Sequence, residues 1–402
     1  MKQHTLTSFD KFCLDMVIEG AWVFRELPSF EQLQTSLISL ISLYPQLEGY
    51  YIKEKDVVEY DETMAVSPDF LITEKNDLCV SDICNSDIYE IAGAFDIKGF
   101  KSGKIKPFKA RLIKLSDGIV LVVQCAHLLM DGHSLYSFMR QWSQICNGKS
   151  IVPDIVDQNC IPQGTQLSKE DTIRIVHDAG WPKISFVKVI TMIVNTIRQT
   201  TIKDTSIFPI DMEELFRVKS EAGVSTNSVL CAMAAKKLEK VLPSLADFKL
   251  IVNADLRSRV RSIDPRFFGN AAQPLVPKAT FDISEDPVEL SLLIDAEVRD
   301  IITSDTIEKT LLLSQASSHY KLPYFFFDAS KFNCPAPKAI YVNNFLKFRA
   351  EEIEFGTGFP VHVEPNRLQD MVKFWRYSKD GAINIIFAGF SAKAFNKTKE
   401  KQ

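Results

Sequence analysis

The residues of this chain best suited to chemistry lie in the run His127-Leu128-Leu129-Met130-Asp131-Gly132. An imidazole with an ordinary pKa near 6.5 is largely neutral at cellular pH and able to accept a proton. Projected from a rigid strand end into a solvent channel, it can take the proton of an alcohol or amine as that nucleophile attacks a thioester. Such base catalysis contributes roughly 10²–10⁴ in rate, with positioning and oxyanion stabilisation supplying the rest. A carboxylate four residues on can turn back and tie the loop down. A glycine beside it lets the backbone bend and leaves room next to the ring. His127 is therefore expected to be the base, with Asp131 a structural acid rather than a relay. Two other readings of the same residues stand beside this one. His127 could be a satisfied buried histidine without chemistry. Alternatively His127, Asp131 and His133 could bind zinc or iron, although the loop supplies no second cluster and His4, His177, His319 and His362 are isolated in the sequence.

The elements around this run are those needed to hold it. Leu112 to Ala126 reads as a strand, a turn at Ser116-Asp117-Gly118 and a second, wholly apolar strand that delivers His127. Ser134 to Ile145 reads as a helix capped by Ser134, with Leu135, Phe138, Met139, Trp142 and Ile145 on one side. Earlier, Leu33, Leu37, Leu40, Ile41 and Tyr44 recur at helical spacing and stop at Pro45. Later, Ser225-Thr226-Asn227 caps a second helix ended by Pro243, Lys249 to Asn253 reads as a buried strand, and Ile383 to Phe390 as a late one. Mixed helices and strands predict an α/β or α+β layered fold. Few regular signals occur over Val152 to Ser168, where Pro153, Pro162 and Gly164 cluster, so the domain boundary is placed there. The expected division is 1–165, a crossover linker or helix at 166–205, and 206–402.

Composition narrows the function. The 402 residues suffice for two domains, and 46% hydrophobic with 24% charged content is ordinary globular material. A net charge of −4 gives no reason to bind nucleic acid or an anionic membrane. The eight cysteines include no C-x-x-C pair and no zinc spacing, and Met1 to Asp10 lacks the apolar core of a secretory signal, which together predict a cytoplasmic protein. No segment reaches the ~20 apolar residues of a membrane span; Ile184 to Ile197 carries Lys188 and Asn195 and is expected to be a core or lid helix.

Beyond the central run, ordered segments of the chain resemble the BAHD acyltransferases. Leu6-Thr7-Ser8-Phe9-Asp10 resembles that family's opening L-S-x-x-D, and Tyr44-Pro45-Gln46-Leu47-Glu48-Gly49 its Y-P-x-L-A-G-R. His127 to Gly132 matches its H-x-x-x-D-G, and Ser225-Thr226-Asn227 its S-T-N-D. Asn253 to Arg259 and Phe268-Gly269-Asn270-Ala271 resemble its D-x-R-x-R and Y-F-G-N-A. Glu354-Phe355-Gly356-Thr357-Gly358-Phe359-Pro360 resembles its D-F-G-W-G-x-P, with Glu and Thr where the family has Asp and Trp.

The resemblance implies two similar mixed-sheet α/β domains of the chloramphenicol acetyltransferase-like fold, with a channel between them. It also implies an acyl-CoA co-substrate, no metal or permanently bound cofactor, and a monomer. His127, Asp131 and Gly132 would form the catalytic motif. Arg257, Arg259, Glu354, Phe355, Gly356 and Gly358 would hold structure, with Glu354 paired to Arg257 or Arg259. Asn343 and Asn344, just upstream on an expected strand, are candidate donors to the oxyanion. The expected activity is transfer of an acyl group from acyl-CoA to a small-molecule alcohol, or less readily an amine. The competing readings are a condensation domain, whose extra histidine is replaced here by Ala126, and a catalytically silent relative that binds a ligand or partner.

Overall fold

The computed structural model describes residues 1–161, 167–178, 205–241, 246–257, 259–275, 279–303, 306–307, 311–312, 316, 319–320, 339–367 and 371–388. The apolar stretch 184–197, much of the expected linker and the last residues of the expected final strand lie outside them. The strands of the first half are β1 (Lys2–Thr5), β2 (Val17–Phe24), β3 (Tyr50–Ile52), β4 (Val57–Tyr60), β5 (Asp69–Lys75), β6 (Phe108–Leu115) and β7 (Ile119–Ala126). Those of the second are β8 (Thr205–Pro209), β9 (Asp247–Asp255), β10 (Ala272–Leu275), β11 (Phe281–Asp282), β12 (Ala339–Asn344), β13 (His362–Glu364), β14 (Met371–Arg376) and β15 (Ile383–Ala388).

Two mixed sheets organise the molecule. One runs β13-β2-β7-β6-β5, the other β10-β9-β12-β14-β15-β8 with β11 also on β9, and a small sheet β1-β4-β3 stands beside them. In the first, β5 and β6 are parallel and the remaining pairs antiparallel; in the second, β12 is parallel to both β9 and β14. The apolar run Ile119 to Val123 of β7 follows from cover on both faces. Leu121, Val123 and Cys125 enter the core that holds the helices Phe30–Ile41 and Gly132–Cys146, while Val120 and Val122 meet Ile83, Ile88 and Tyr89. The second sheet packs on the helices Met212–Ala222, Thr226–Val241 and Pro287–Ile301.

The boundary expected from sequence does not follow the boundary between cores. Phe345, Ala350, Ile353, Phe355, Val363 and Trp375, all within 206–402, belong to the first core. The reason is β13, which pairs antiparallel with β2 as the edge strand of the first sheet and draws its flanks with it. No helix among the described residues is long and apolar enough to cross a membrane.

Candidate active site

His127 follows β7 directly and opens a short 3₁₀ turn, and its backbone amide donates to the Met16 carbonyl at 2.9 Å. Helix Gly132–Cys146 then starts at Asp131, whose carboxylate accepts from the Ser134 amide at 3.0 Å. Asp131 rather than Ser134 is thus the cap, because its side chain reaches back over the first turn. Gly132 has no positive φ. Its small size matters instead, since an added Cβ would lie 3.2 Å from the Phe348 ring.

Asn270 sets the state of the His127 ring. Its Nδ2 donates to Asp10 Oδ1 and to the His127 carbonyl, each at 2.9 Å. The ionised carboxylate and the carbonyl can only accept, so Asn270 Oδ1 faces His127 Nδ1, 3.2 Å away. In a neutral imidazole this assigns the proton to Nδ1 and leaves the lone pair on Nε2. Burial pulls the pKa of His127 below its ordinary 6.5, against the opposing influence of Asp131 and Asn270. The ring is neutral at pH 7.

Asp10 closes the chain of contacts. It is fully buried, and its Oδ2 accepts from the Thr7 amide at 2.7 Å and the Thr7 hydroxyl at 2.8 Å. Burial raises its pKa to about 6, although the bonds from Asn270 and Thr7 favour the anion.

Asp131 is turned to Arg257. The guanidinium donates to both carboxylate oxygens, at 2.8 and 3.1 Å, and the Ala271 amide adds a bond at 2.9 Å. Burial would raise the Asp131 pKa, but Arg257 and the Ala271 and Ser134 amides more than offset it and hold the group below the usual carboxylate range. Arg257 also bonds Asp255 Oδ1, the Phe267 and Gly269 carbonyls and the Ser134 hydroxyl. The peptide at Gly269 approaches closely, with φ +150 and an added Cβ only 2.6 Å from the Phe267 ring. His133 Nδ1 lies 3.1 Å from Asp255 Oδ2. Asp131 and His133 are therefore engaged by Arg257 and Asp255, and among the described residues no three His, Cys, Asp or Glu side chains are grouped as metal ligands would be.

A family model described as the Transferase family matches residues 5–376. The chain belongs to that family, the BAHD acyltransferases. Among solved structures, this BAHD chain is similar to F. graminearum TRI101 complexed with coenzyme A and T-2 mycotoxin, at 12% identity and TM-score 0.76, covering 100% of this chain and 97% of that one. Vinorine synthase is similar at 14% identity and TM-score 0.66, covering 98% and 93%. The first condensation domain of the calcium-dependent antibiotic synthetase is similar at 10% identity and TM-score 0.62, covering 100% and 95%. At these identities the likeness is one of fold. No curated protein matches the sequence.

Two expectations for this BAHD chain change. The ion pair of Glu354 with Arg257 or Arg259 does not form. Arg257 is committed to Asp131 and Asp255, Arg259 is exposed, and Glu354 accepts from the Gly356 amide at 3.0 Å within its own loop. That loop sits at the far end of helix Gly132–Cys146, where Ser143 and Asn147 donate to the Glu354 carbonyl. Ser143 is twelve residues beyond Asp131, about 18 Å along the axis at the helical rise.

The missing tryptophan is accommodated, because Thr357 Oγ1 donates to the Glu26 carbonyl at 2.8 Å while Phe355 packs edge-on against Phe24 and Trp142. Finally, Asn344 faces away from the first half. Its Nδ2 donates to Asn227 Oδ1 at 2.9 Å and its Oδ1 accepts from the Leu346 amide, which leaves Asn343 as the oxyanion candidate. Asp10 and Asn270 were legible only as members of resembling segments. No spacing in the sequence links positions 10, 127 and 270.

Proposed function

We propose that the protein transfers an acyl group from acyl-CoA to a hydroxyl of a small-molecule acceptor, with His127 as general base. The observation that carries this reading is the orientation of Asn270, which places a proton on His127 Nδ1 and keeps Nε2 as an acceptor. Nε2 takes the hydroxyl proton as the oxygen attacks the thioester carbonyl. A tetrahedral oxyanion forms, and Asn343 is the candidate donor to it. The carbon–sulfur bond breaks, the thiolate of coenzyme A leaves, and the imidazolium returns the proton to it. Asp131 takes no part in these transfers and anchors the loop through Arg257.

An alcohol is favoured over an amine by the neutral ring, since an alcohol needs its proton removed during attack. Free coenzyme A thiol released from a panel of acyl-CoAs, against separate alcohol and amine acceptors, tests the reading. Acceptor-dependent release that disappears in His127→Ala is the expected result. A protein that consumes no thioester with any acceptor, or a variant that matches the wild type, would overturn it.

A further inference from the structure

A thiol, an imidazole and a carboxylate meet on the face of the first sheet turned away from helix Gly132–Cys146. Strand register puts two of them there. Val363 on β13 enters the core that holds that helix, while its neighbours His362 and Glu364 stand beside Val23 and Ala21 of β2 on the opposite face. That face is covered by the short helix Val80–Cys84, whose Val80 and Ile83 share a core with Ala21 and Val23. Cys84 ends this helix. It is a free, partly buried cysteine, and its thiol hydrogen-bonds the His362 ring.

The ring is held on its other contacts as well. Its Nε2 lies 2.9 Å from Glu364 Oε2, and its plane stacks on Tyr377 with 4.9 Å between centroids and 19° between planes. Burial alone would lower the His362 pKa, but the contacts with Cys84 and Glu364 outweigh it and raise the value to about 9. The ring is therefore an imidazolium at pH 7. Both its nitrogens then carry protons, and with Nε2 turned to the carboxylate the Nδ1 proton is the one available to sulfur. The plain reading is an ion pair that ties β13 down, but Glu364 suffices for that and the thiol is left unexplained. A thiol set against an imidazolium is the arrangement of a nucleophilic cysteine, because the cation favours the thiolate and the thiolate is the species that attacks.

The other described cysteines have a different setting. Burial pushes up the thiols of Cys13, Cys125, Cys146, Cys160 and Cys231. Cys79 Sγ lies 2.9 Å from Asp82 Oδ2, a negative charge that opposes a second one.

We propose that Cys84 is a modification site, a thiol made nucleophilic by His362 and Glu364 that exchanges with small disulfides such as glutathione disulfide. The Cys84 sulfur attacks one sulfur of the disulfide, and a new sulfur–sulfur bond forms as the old one breaks. The second glutathione leaves with the electron pair as a thiolate and takes a proton from water. Cys84 is oxidised to the mixed disulfide and one glutathione is reduced, so the disulfide is the only co-reactant. The inference is independent of the acyl-transfer reading, because the cluster lies on the far face of the sheet from the core behind His127.

The test incubates the whole reduced protein with glutathione disulfide and follows each of its eight cysteines by peptide mass spectrometry. It is run at about pH 6.5, where an ordinary thiol is only about 1% thiolate. Cys84 should take up glutathione at least about tenfold faster than Cys79 at the other end of the same helix. His362→Gln should slow Cys84 about tenfold, and Glu364→Gln should slow it by a smaller factor. At about pH 10 the ring is neutral and any accessible thiol is ionised, so the wild-type and His362→Gln rates should meet. A change in packing would not produce that pH dependence. Thermal melts identify a variant that fails to fold, and Glu364→Gln, which keeps the ring, then carries the test.

A Cys84 that reacts no faster than Cys79 overturns the site. So does a folded His362→Gln variant whose Cys84 reacts as fast as that of wild type or faster, or a gap between the two that persists at the higher pH.

Discussion

His127 Nδ1 lies 3.2 Å from Asn270 Oδ1, and the Asn270 amide is held in that orientation by Asp10 and by the carbonyl of His127 itself. Two residues 143 positions apart in sequence thereby define which nitrogen of the ring is basic. The site depends on Asp10, from the first turn of the chain, as much as on the motif that carries the histidine.

Replacing His127 by alanine should lower kcat by roughly 10²–10⁴ while leaving acyl-CoA affinity nearly unchanged, because the ring acts on the proton in flight. In the wild type, kcat/KM should fall on acidification as Nε2 takes up a proton. Burial depresses the pKa of His127, so that fall should be centred below pH 6.5. A midpoint above 6.5 would contradict the assignment.

Asn270→Leu removes both the ring contact and the amide that accounts for the Asp10 orientation. We expect kcat to drop on the order of tenfold to a hundredfold with little change in either KM, since outer contacts of this kind tune a catalytic group rather than bind substrate. Asp10→Asn should act in the same direction, because its amide can present a donor where a carboxylate only accepts. Steady-state kinetics and the ¹⁵N shifts of the His127 ring would check both.

Asp131→Ala leaves the buried Arg257 guanidinium without its bidentate partner, which should cost about 3–5 kcal/mol of stability. Asp131 has a depressed folded pKa, so its contribution is present above the ordinary carboxylate value near 3.9 and is lost as pH falls through the lower folded value. Urea midpoints of wild type and variant should therefore differ at pH 7, the gap should start to narrow only below about pH 4, and it should close below the depressed folded pKa. A gap that persists at low pH would place the effect elsewhere.

Gly356→Ala tests the Glu354 to Pro360 loop. Gly356 has φ +93, and an added Cβ would lie 2.4 Å from Asn147 Oδ1. A loss of about 1–3 kcal/mol in stability is expected. The turnover of the folded fraction should not change, because the loop contacts the end of helix Gly132–Cys146 remote from Asp131. A fall in kcat without a change in melting temperature would show that the loop reaches the chemistry.

Local pattern decided the elements that hold the motif. The apolar run Ile119 to Val123 reads as a strand covered on both faces, and the helix behind Gly132 is written in the spacing of Leu135, Phe138, Met139 and Trp142. Periodicity and propensity act over a few residues, so such features are legible in one dimension. The ordered segments from Leu6 to Pro360 likewise pointed to the BAHD acyltransferases, and the match over 5–376 bears this out.

The partners of the charged and amide groups were decided by the tertiary structure. Arg257 takes Asp131 rather than Glu354 because β9 brings it to the start of helix Gly132–Cys146 while β13 carries the Glu354 loop to the other end. Asn344 is turned to Asn227 by strand alternation, and Asn343 and Lys373 are brought together by the register of β12 on β14. Asp10, His127 and Asn270 come from three distant segments. Hydrogen bonds and ion pairs reach only a few ångströms, so which groups meet depends on how the sheets pack, and no spacing along the chain encodes it.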